Sequence, residues 1–284
     1  MTTIAEYYKG LRSSLAQALP KGEADSAAAI LMEDIGGYTR TTLFADGDRD
    51  ISDFLKGKID EAASRIIAGE PVQYAVGRAL FMGNSYIVTP AVLIPRPETA
   101  ALVDMITDHA AGRSDLRVLD IGTGSGCIAI SLARALPFAR VDAVDISADA
   151  LEIARQNAVN LKAKVNFRHE DILKAVPTAM PCYDIIVSNP PYITDSEKAD
   201  MDARVLDYEP ATALFVPDSD PLKFYRAIAE YAAKALVAGG SLYFEINRSY
   251  GSEIEKMLAD KGFADIEISR DFRGNTRYAS ARRP

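Results

Sequence analysis

Tryptophan is absent from this 284-residue chain, and histidine and cysteine occur twice each. Two cysteines, Cys127 and Cys182, are too few for a disulfide framework or a four-cysteine zinc site. With only His109 and His169 beside them, no structural or catalytic metal is expected. No apolar run approaches the ~20 residues of a membrane span. The opening residues show no basic stretch followed by an apolar core, so no secretory signal is expected and the chain reads as cytoplasmic. Positive charge is in deficit, with Lys+Arg 32 against Asp+Glu 40 and a net charge of -8. That average argues against a cationic surface that binds nucleic acid by counterion release, although it leaves room for a local basic groove. Hydrophobic residues make up 48% and charged residues 25%, which excludes wholesale disorder. At roughly 100–200 residues per domain the length suggests one large domain or two unequal ones, able to bury a core without a staple.

Residues 1–70 read as helical and carry no motif. Ile51, Phe54, Leu55, Ile59, Ala62, Ala63, Ile66 and Ile67 recur at helical spacing up to Gly69-Glu70-Pro71, and residues 27–35 form a second helix-like run before Gly36-Gly37. This region holds 8 basic and 12 acidic residues, so it is not a nucleic-acid arm. Between 72 and 95 the period changes to two, and residues 80–88 predict a β-hairpin turning near Gly83-Asn84. Pro90, Pro95 and Pro97 punctuate an extended connector. From 117 onward strands at 117–121, 141–145, 164–168, 183–188 and 242–246 alternate with helices at 127–136, 148–161, 222–237 and 253–261. Residues 266–269 and 277–280 suggest a closing antiparallel pair. Strands alternating with helices predict a mainly parallel sheet covered on both faces.

The segment Asp120-Ile121-Gly122-Thr123-Gly124-Ser125-Gly126 stands where the first of these strands runs into a helix. Glycines let the backbone turn sharply and let a ligand approach with no Cβ in the way. In doubly wound folds this turn is the ligand crevice. The dinucleotide fingerprint requires a third glycine where Cys127 stands, and no Walker lysine is present. What remains, D-x-G-x-G-x-G, is similar to the donor turn of S-adenosylmethionine-dependent methyltransferases. Asp145 closes the next strand, where a carboxylate accepts both hydrogens of a ribose diol. Such an acid serves adenosylmethionine and NAD alike. Asp171 closes the third strand and could face an adenine amino group with Ile172 against the ring; the plain alternative is a helix cap.

Ser188-Asn189-Pro190-Pro191-Tyr192 follows the fourth strand. Neither proline has an N–H and each fixes φ, so the loop leaves the sheet rigidly. The Asn189 side chain and the Pro190 carbonyl can then both point at a ligand, two acceptors side by side that match one planar NH2 group. Tyr192 offers a flat face for that group to stack on. An amide or exocyclic amine nitrogen is a weak nucleophile because its lone pair is delocalised. Acceptors that hold its hydrogens can turn the lone pair towards an electrophilic methyl and stabilise charge developing on nitrogen. The plain alternative is a surface turn, since Asn-Pro and Pro-Pro are turn dipeptides.

Together these residues resemble the protein-(glutamine-N5) methyltransferase family of peptide chain release factors (PrmC/HemK type). The likeness runs from about Ala75 to the C-terminus. It includes Phe81-x-Gly83, Ile94-Pro-Arg-Pro-Glu-Thr99, residues 120–126, Asp145, Ser188-Asn-Pro-Pro-Tyr-Ile193, Tyr208-Glu-Pro and Arg277. The resemblance implies an α/β fold: a seven-stranded class I, Rossmann-like methyltransferase core with a small N-terminal helical bundle and a connecting β-hairpin. It divides the chain into a helical substrate-recognition domain (1–71), a hairpin connector (72–97) and a methyltransferase domain (98–284). It implies S-adenosyl-L-methionine as donor, leaving S-adenosyl-L-homocysteine, bound by Gly122, Thr123, Gly124, Ser125, Gly126, Asp145, Asp171, Ile172 and Asn189. Asn189, Pro190 and Tyr192 would hold the reacting amide, with Pro191, Arg96 and Glu98 on the substrate side and no metal. The implied partner is a class I release factor, methylated on the glutamine of its Gly-Gly-Gln tripeptide by a monomeric enzyme without direct nucleic-acid or membrane binding. Three positions depart from the family pattern: Ala100 after Glu-Thr, residues 216–221 in place of a Gly-rich segment, and Asn247 where glycine is common.

Three rival readings compete. A ribosomal-protein glutamine methyltransferase shares the chemistry. An adenine-N6 or guanine-N2 methyltransferase needs a basic track that the charge does not supply. A non-catalytic adapter of the same fold has no need of the glycine turn, Asp145 and the amide clamp together.

Overall fold

The structure, a computed structural model, describes residues 2–177 and 182–284. The chain divides into two compact units, Met1–Arg78 with Asp202–Tyr208, and Ala79–Met201 with Glu209–Pro284. The first contains helices α1 (Ile4–Leu15), α2 (Lys21–Asp34), α3 (Arg40–Ala45), α4 (Asp53–Ile67) and α5 (Val72–Val76). Thr3 starts α1 with a capping box, its hydroxyl accepting the Glu6 N–H while the Glu6 carboxylate accepts the Thr3 N–H. Ser52 caps α4. Leu15, Leu31, Met32, Ile59 and Ile66 form the apolar centre of this unit.

The second unit begins with a hairpin whose strands are β1 (Arg78–Phe81) and β2 (Asn84–Ile87). Met82 and Gly83 form its turn, both with positive φ (47° and 71°), the left-handed geometry of tight two-residue hairpins. Phe81 and Tyr86 are buried in the same cluster as Leu102 and Ile128, so the hairpin belongs to the second unit and is not a separate connector. The division between the two compact units falls after Arg78.

Then follow α6 (Pro97–His109), β3 (Arg117–Ile121), α7 (Cys127–Ala135), β4 (Arg140–Asp145), α8 (Ala148–Asn160), β5 (Val165–His169), β6 (Tyr183–Ser188), β7 (Ile193–Thr194) and a 3-10 turn (Asp195–Asp200). The chain continues through α9 (Ala203–Tyr208), α10 (Ala211–Leu214), β8 (Phe215–Val216), α11 (Lys223–Ala235), β9 (Leu236–Glu245), α12 (Gly251–Asp260), β10 (Ala264–Arg270) and β11 (Thr276–Arg282). Within the first unit, α9 is tied down by the Tyr208 hydroxyl on the Ala68 carbonyl and by Arg204 on Glu23.

Seven strands form one sheet in the order β10-β11-β9-β6-β3-β4-β5, with β11 antiparallel to both neighbours and β9, β6, β3, β4 and β5 parallel. Residues of β3 alternate between faces. Leu119 and Ile121 pack with α11 and α12, while Val118 packs with α6 and α7. The chain leaves β3 in one direction, through β4 to β5, and later returns on its other side with β6 and β9. The carboxyl ends of β3 and β6 are thus the topological switch point, where open α/β sheets bind ligands.

Two elements differ from the sequence-based expectation. Pro97 does not end an extended connector; it is the first residue of α6, where a missing N–H costs nothing. Gly239-Gly240 do not separate helix from strand either. β9 runs through them from Leu236, with an irregularity in its pairing to β6 between Tyr183 and Ile185, the sort of place a strand glycine marks.

Asn157 on α8 fixes the position of the glycine turn. Its side chain accepts the Ile87 N–H (2.7 Å) and donates to the carbonyls of Ile87 (3.0 Å) and Ser125 (2.9 Å). Asn157→Ala strands these buried groups and should lower the stability of the second unit by about 2–3 kcal/mol, read as a fall in the denaturant midpoint. An unchanged midpoint contradicts this account.

Candidate active site

The glycine turn follows β3, and the Asn189-Pro190 corner follows β6. These strands pair in parallel with Ile121 opposite Ser188, so Gly122 and Asn189 leave the sheet from adjacent register positions. The Ser188 hydroxyl donates to the Ile121 carbonyl at 2.6 Å and pins the two ends together. Both segments line one cavity of about 370 Å³, within the range of small-molecule sites, ~300–1,000 Å³.

Gly122, Gly124 and Gly126 have φ of 74°, 55° and 82°. A Cβ at Gly122 or Gly124 would meet no atom within 4 Å, whereas one at Gly126 would lie 2.9 Å from Ile130 Cδ1. The first two glycines thus leave space for a ligand, and the third lets helix α7 pack closely. Asp145 closes β4. Its Oδ2 accepts the Gly124 N–H (2.8 Å) and its Oδ1 the Ser147 N–H (2.9 Å), so each oxygen keeps a further lone pair. Burial pushes its carboxyl above the ordinary value, while the N–H groups of Ser147, Gly124 and Ile146 favour the charged form.

Asp171 and Ile172 also line the cavity, although Asp171 lies beyond the end of β5. Asp171 is also tied into the turn that follows it: it accepts the Leu173 N–H (3.0 Å) and pairs with Lys174 (3.0 Å), which holds its carboxyl below the usual range. Thr123, Ser125, Pro190, Pro191 and Arg96 line the cavity too. Arg96 is salt-bridged to the buried Glu209, which also accepts the Ile94 N–H, clasping residues 91–96 to the segment after α9.

Glu98 and Tyr192 do not line the cavity. Glu98 contributes its backbone carbonyl to the Tyr278 hydroxyl. Tyr192 was expected to stack on the substrate, but its hydroxyl donates to the buried Glu245 (3.1 Å) and draws the ring against the α11 cluster. Burial and the Glu245 charge push the phenol up. Asn189 donates from Nδ2 to the Thr99 hydroxyl at 3.3 Å. Among the described residues, neither Asn189 Oδ1 nor the Pro190 carbonyl accepts a hydrogen bond. Two open acceptors therefore stand at the corner.

Comparison with known proteins places this geometry in a family. Residues 6–77 match the PrmC N-terminal domain and residues 97–208 the methyltransferase small domain. A release factor glutamine methyltransferase of Bacteroides thetaiotaomicron is 45% identical over 273 residues, 96% of this chain and 98% of the relative. One from Flavobacterium psychrophilum is 38% identical over 96% of this chain and 97% of its own. This chain belongs to the release factor glutamine methyltransferase family. The solved structure of a methyltransferase from Pyrococcus furiosus shares the fold, with 19% identity, a TM-score of 0.51 and coverage of 77% of this chain and 95% of that one.

Beyond the residues quoted from the sequence, several others shape the site. Thr99, Phe215, Phe224 and Ile228 line the cavity, and Glu245 and Asn157 support it from behind. Asn157 gave a signal, being polar on a helix face otherwise formed by Ala150, Leu151, Ala154 and Ala158. Thr99 and Glu245 gave none separable from their neighbours. The departing residue Asn247 donates to the Tyr192 carbonyl (3.0 Å) and to Glu197 (2.9 Å), so it braces the loop after the corner.

Asp120 lies fully buried under the turn. Its Oδ2 accepts the Thr123 hydroxyl (2.6 Å) and the Ala129 N–H (3.2 Å), while Oδ1 has no partner among the described residues. Burial pushes its pKa up to about 7. A raised folded-state value means the stabilisation is complete below the unfolded value near ~3.9 and is lost as pH rises through about 7. Asp120→Asn cannot ionise, so relative to wild type it should gain about 2–3 kcal/mol of stability between pH 5 and pH 8. Parallel stability curves for the two proteins would show that Asp120 does not titrate in this range.

Proposed function

We infer that this chain transfers a methyl group from S-adenosyl-L-methionine to the side-chain amide nitrogen of the Gly-Gly-Gln glutamine in class I peptide chain release factors. The observation that supports this reading best is the joint placement of the glycine turn and the two open acceptors on one cavity. The residues present fit the donor. Gly122 and Gly124 leave open space where a side chain would stand, and Asp145 retains lone pairs suited to a ribose diol. Ile146, Ile172, Phe224 and Ile228 give apolar walls for a base.

When bound, adenosylmethionine supplies an electrophilic methyl on a sulfonium. This chain's own part is to bind and to orient. Asn189 Oδ1 and the Pro190 carbonyl accept the two amide hydrogens, which holds the carboxamide rigidly and turns its nitrogen lone pair out of conjugation. The same acceptors stabilise positive charge as it develops on nitrogen, until one of the two held N–H protons is lost to solvent and the neutral N-methyl amide remains, and they cost no reorganisation because the prolines fix them beforehand. Tyr192 acts here as a brace for the corner. Arg96, held by Glu209, shapes the rim.

The net charge of -8 speaks for a protein partner over a nucleic acid. Among the described residues no helix is long and apolar enough to cross a membrane. A cytoplasmic place follows from the proposed substrate.

Incubation with methyl-labelled donor and a purified release factor, beside its tripeptide Gln→Ala variant, tests the substrate. Label on the first protein alone is expected; label on both equally, or on a ribosomal protein instead, defeats the assignment. Asn189→Ala should abolish transfer while leaving donor affinity nearly intact, and comparable turnover would remove the clamp. Asp145→Ala should weaken donor binding by ~1.5–3 kcal/mol on isothermal titration, the value of hydrogen bonds to a charged group. Unaltered affinity would take Asp145 out of the donor site.

A further inference from the structure

We propose that Thr99 and Glu245 are positioning residues that present the Asn189 amide oxygen-first to the substrate, and so make the site select a carboxamide over a carboxylate. The proposal rests on the reading of Asn189 as the acceptor for the reacting amide.

The argument is one of proton direction. Glu245, at the end of β9, is 1% exposed, and Thr99, in the first turn of α6, is 3% exposed. A carboxylate can only accept, and each oxygen of Glu245 takes a hydroxyl: Thr99 Oγ1 donates to Oε2 at 2.7 Å and the Tyr192 hydroxyl donates to Oε1 at 3.1 Å. A hydroxyl has one proton. With that proton committed to Glu245, Thr99 can only accept from its other neighbour, Asn189 Nδ2 at 3.3 Å. A flipped Asn189 would set its oxygen against a Thr99 oxygen with no proton between them. The two ends of an amide are nearly the same size, so shape alone does not choose between them. The buried acid chooses, through Thr99.

The second branch follows the same logic. Arg277 Nη1 lies 3.4 Å from the Tyr192 hydroxyl as donor, so Tyr192 accepts from Arg277 and gives its proton to Glu245. Arg277 is held in turn by Asp271 at 3.4 Å. Glu245 thus draws two hydroxyl protons inward and leaves the corner above it, Asn189 Oδ1 with the Pro190 carbonyl, as acceptors only. A glutamine NH2 satisfies both. A glutamate carboxylate in the same place would meet oxygen with oxygen.

The test compares wild type, Thr99→Val, Thr99→Ser and Glu245→Gln with two substrate proteins, a release factor bearing its Gly-Gly-Gln tripeptide and its Gln→Glu variant used as a competing ligand. Thr99→Val keeps the shape and loses the hydroxyl. It should lower kcat about tenfold or more with donor affinity changed by less than about twofold, the signature of lost orientation and not of a damaged donor site. Competition by the Gln→Glu protein, weak against wild type, should strengthen about fivefold because Asn189 can now turn its NH2 outward. Thr99→Ser should restore both readouts to within about threefold of wild type. Glu245→Gln should move them as Thr99→Val does, since its amide can donate to Thr99 and reverse the chain; should it fail to fold, Thr99→Val decides alone. Thr99→Val with near-wild-type kcat, or a loss of kcat with unaltered Gln/Glu discrimination, overturns the proposal. Wild type that methylates no release factor overturns instead the functional reading beneath it.

Discussion

The parallel pairing of β3 with β6 sets the geometry on which the site depends. Ile121 and Ser188 face each other across that ladder, and the next residue on each strand begins a segment with its own chemistry. On one side the chain turns through glycines; on the other it is held by two prolines. The two constraints are opposite in kind. Glycine permits positive φ and removes side chains where a ligand must lie against the backbone, while proline removes an N–H and fixes φ so that the acceptors cannot retreat into hydrogen bonds of their own. Neither segment would make a site alone. A register slip of one residue would turn each strand's set of side chains to the opposite face, so the packing of Leu119 and Ile121 on one side and Val118 on the other also holds the site in place.

Three carboxylates underlie this edge of the sheet, and their surroundings give them different work. Asp145 faces the cavity and is held by backbone N–H groups, which orient it while leaving lone pairs free. Asp120 is enclosed beneath the turn with one oxygen unpartnered among the described residues, so burial dominates and the proton is retained far more readily. Glu245 is equally buried, yet Thr99, Tyr192 and the Arg277 charge favour its ionised form against the burial that raises its pKa. Buried charge is tolerable only where hydrogen bonds replace water. Here those hydrogen bonds also fix which way the neighbouring hydroxyls point, and a group too deep to touch a substrate still governs what the surface offers.

Much of this could be read in the sequence because its strongest signals are local. Gly122, Gly124 and Gly126 lie within one turn, Asn189 through Tyr192 within one corner, and the alternation of strands and helices from 117 onward specifies a parallel sheet without any knowledge of contacts. What escaped reading depends on partners far apart in the chain. Thr99 and Glu245 are 146 positions apart, and nothing in either neighbourhood indicates that they meet. Tyr192 has such a distant partner as well. Its place in the motif suggests a stacking face, but the pull on its hydroxyl comes from β9, which local sequence cannot show. Pro97 was legible in principle: proline followed by Glu98 and an apolar Leu102, Val103 and Ile106 is a helix start, and only the density of prolines before it suggested an extended chain.

The departures from the family pattern follow the same division between surface and support. Ala100 packs beside the α6–α7 cluster, and Val216 is a buried partner of Thr194 in the short β7–β8 pair. Asn247 sits where glycine is common, and its side chain is fully employed: Nδ2 holds the Tyr192 carbonyl and Glu197, while Oδ1 accepts the Ser249 N–H at 2.9 Å. None of these three residues lines the cavity. Asn247 shows how such a change is accommodated, because an added side chain in a buried corner is tolerated only when each of its polar atoms finds a partner.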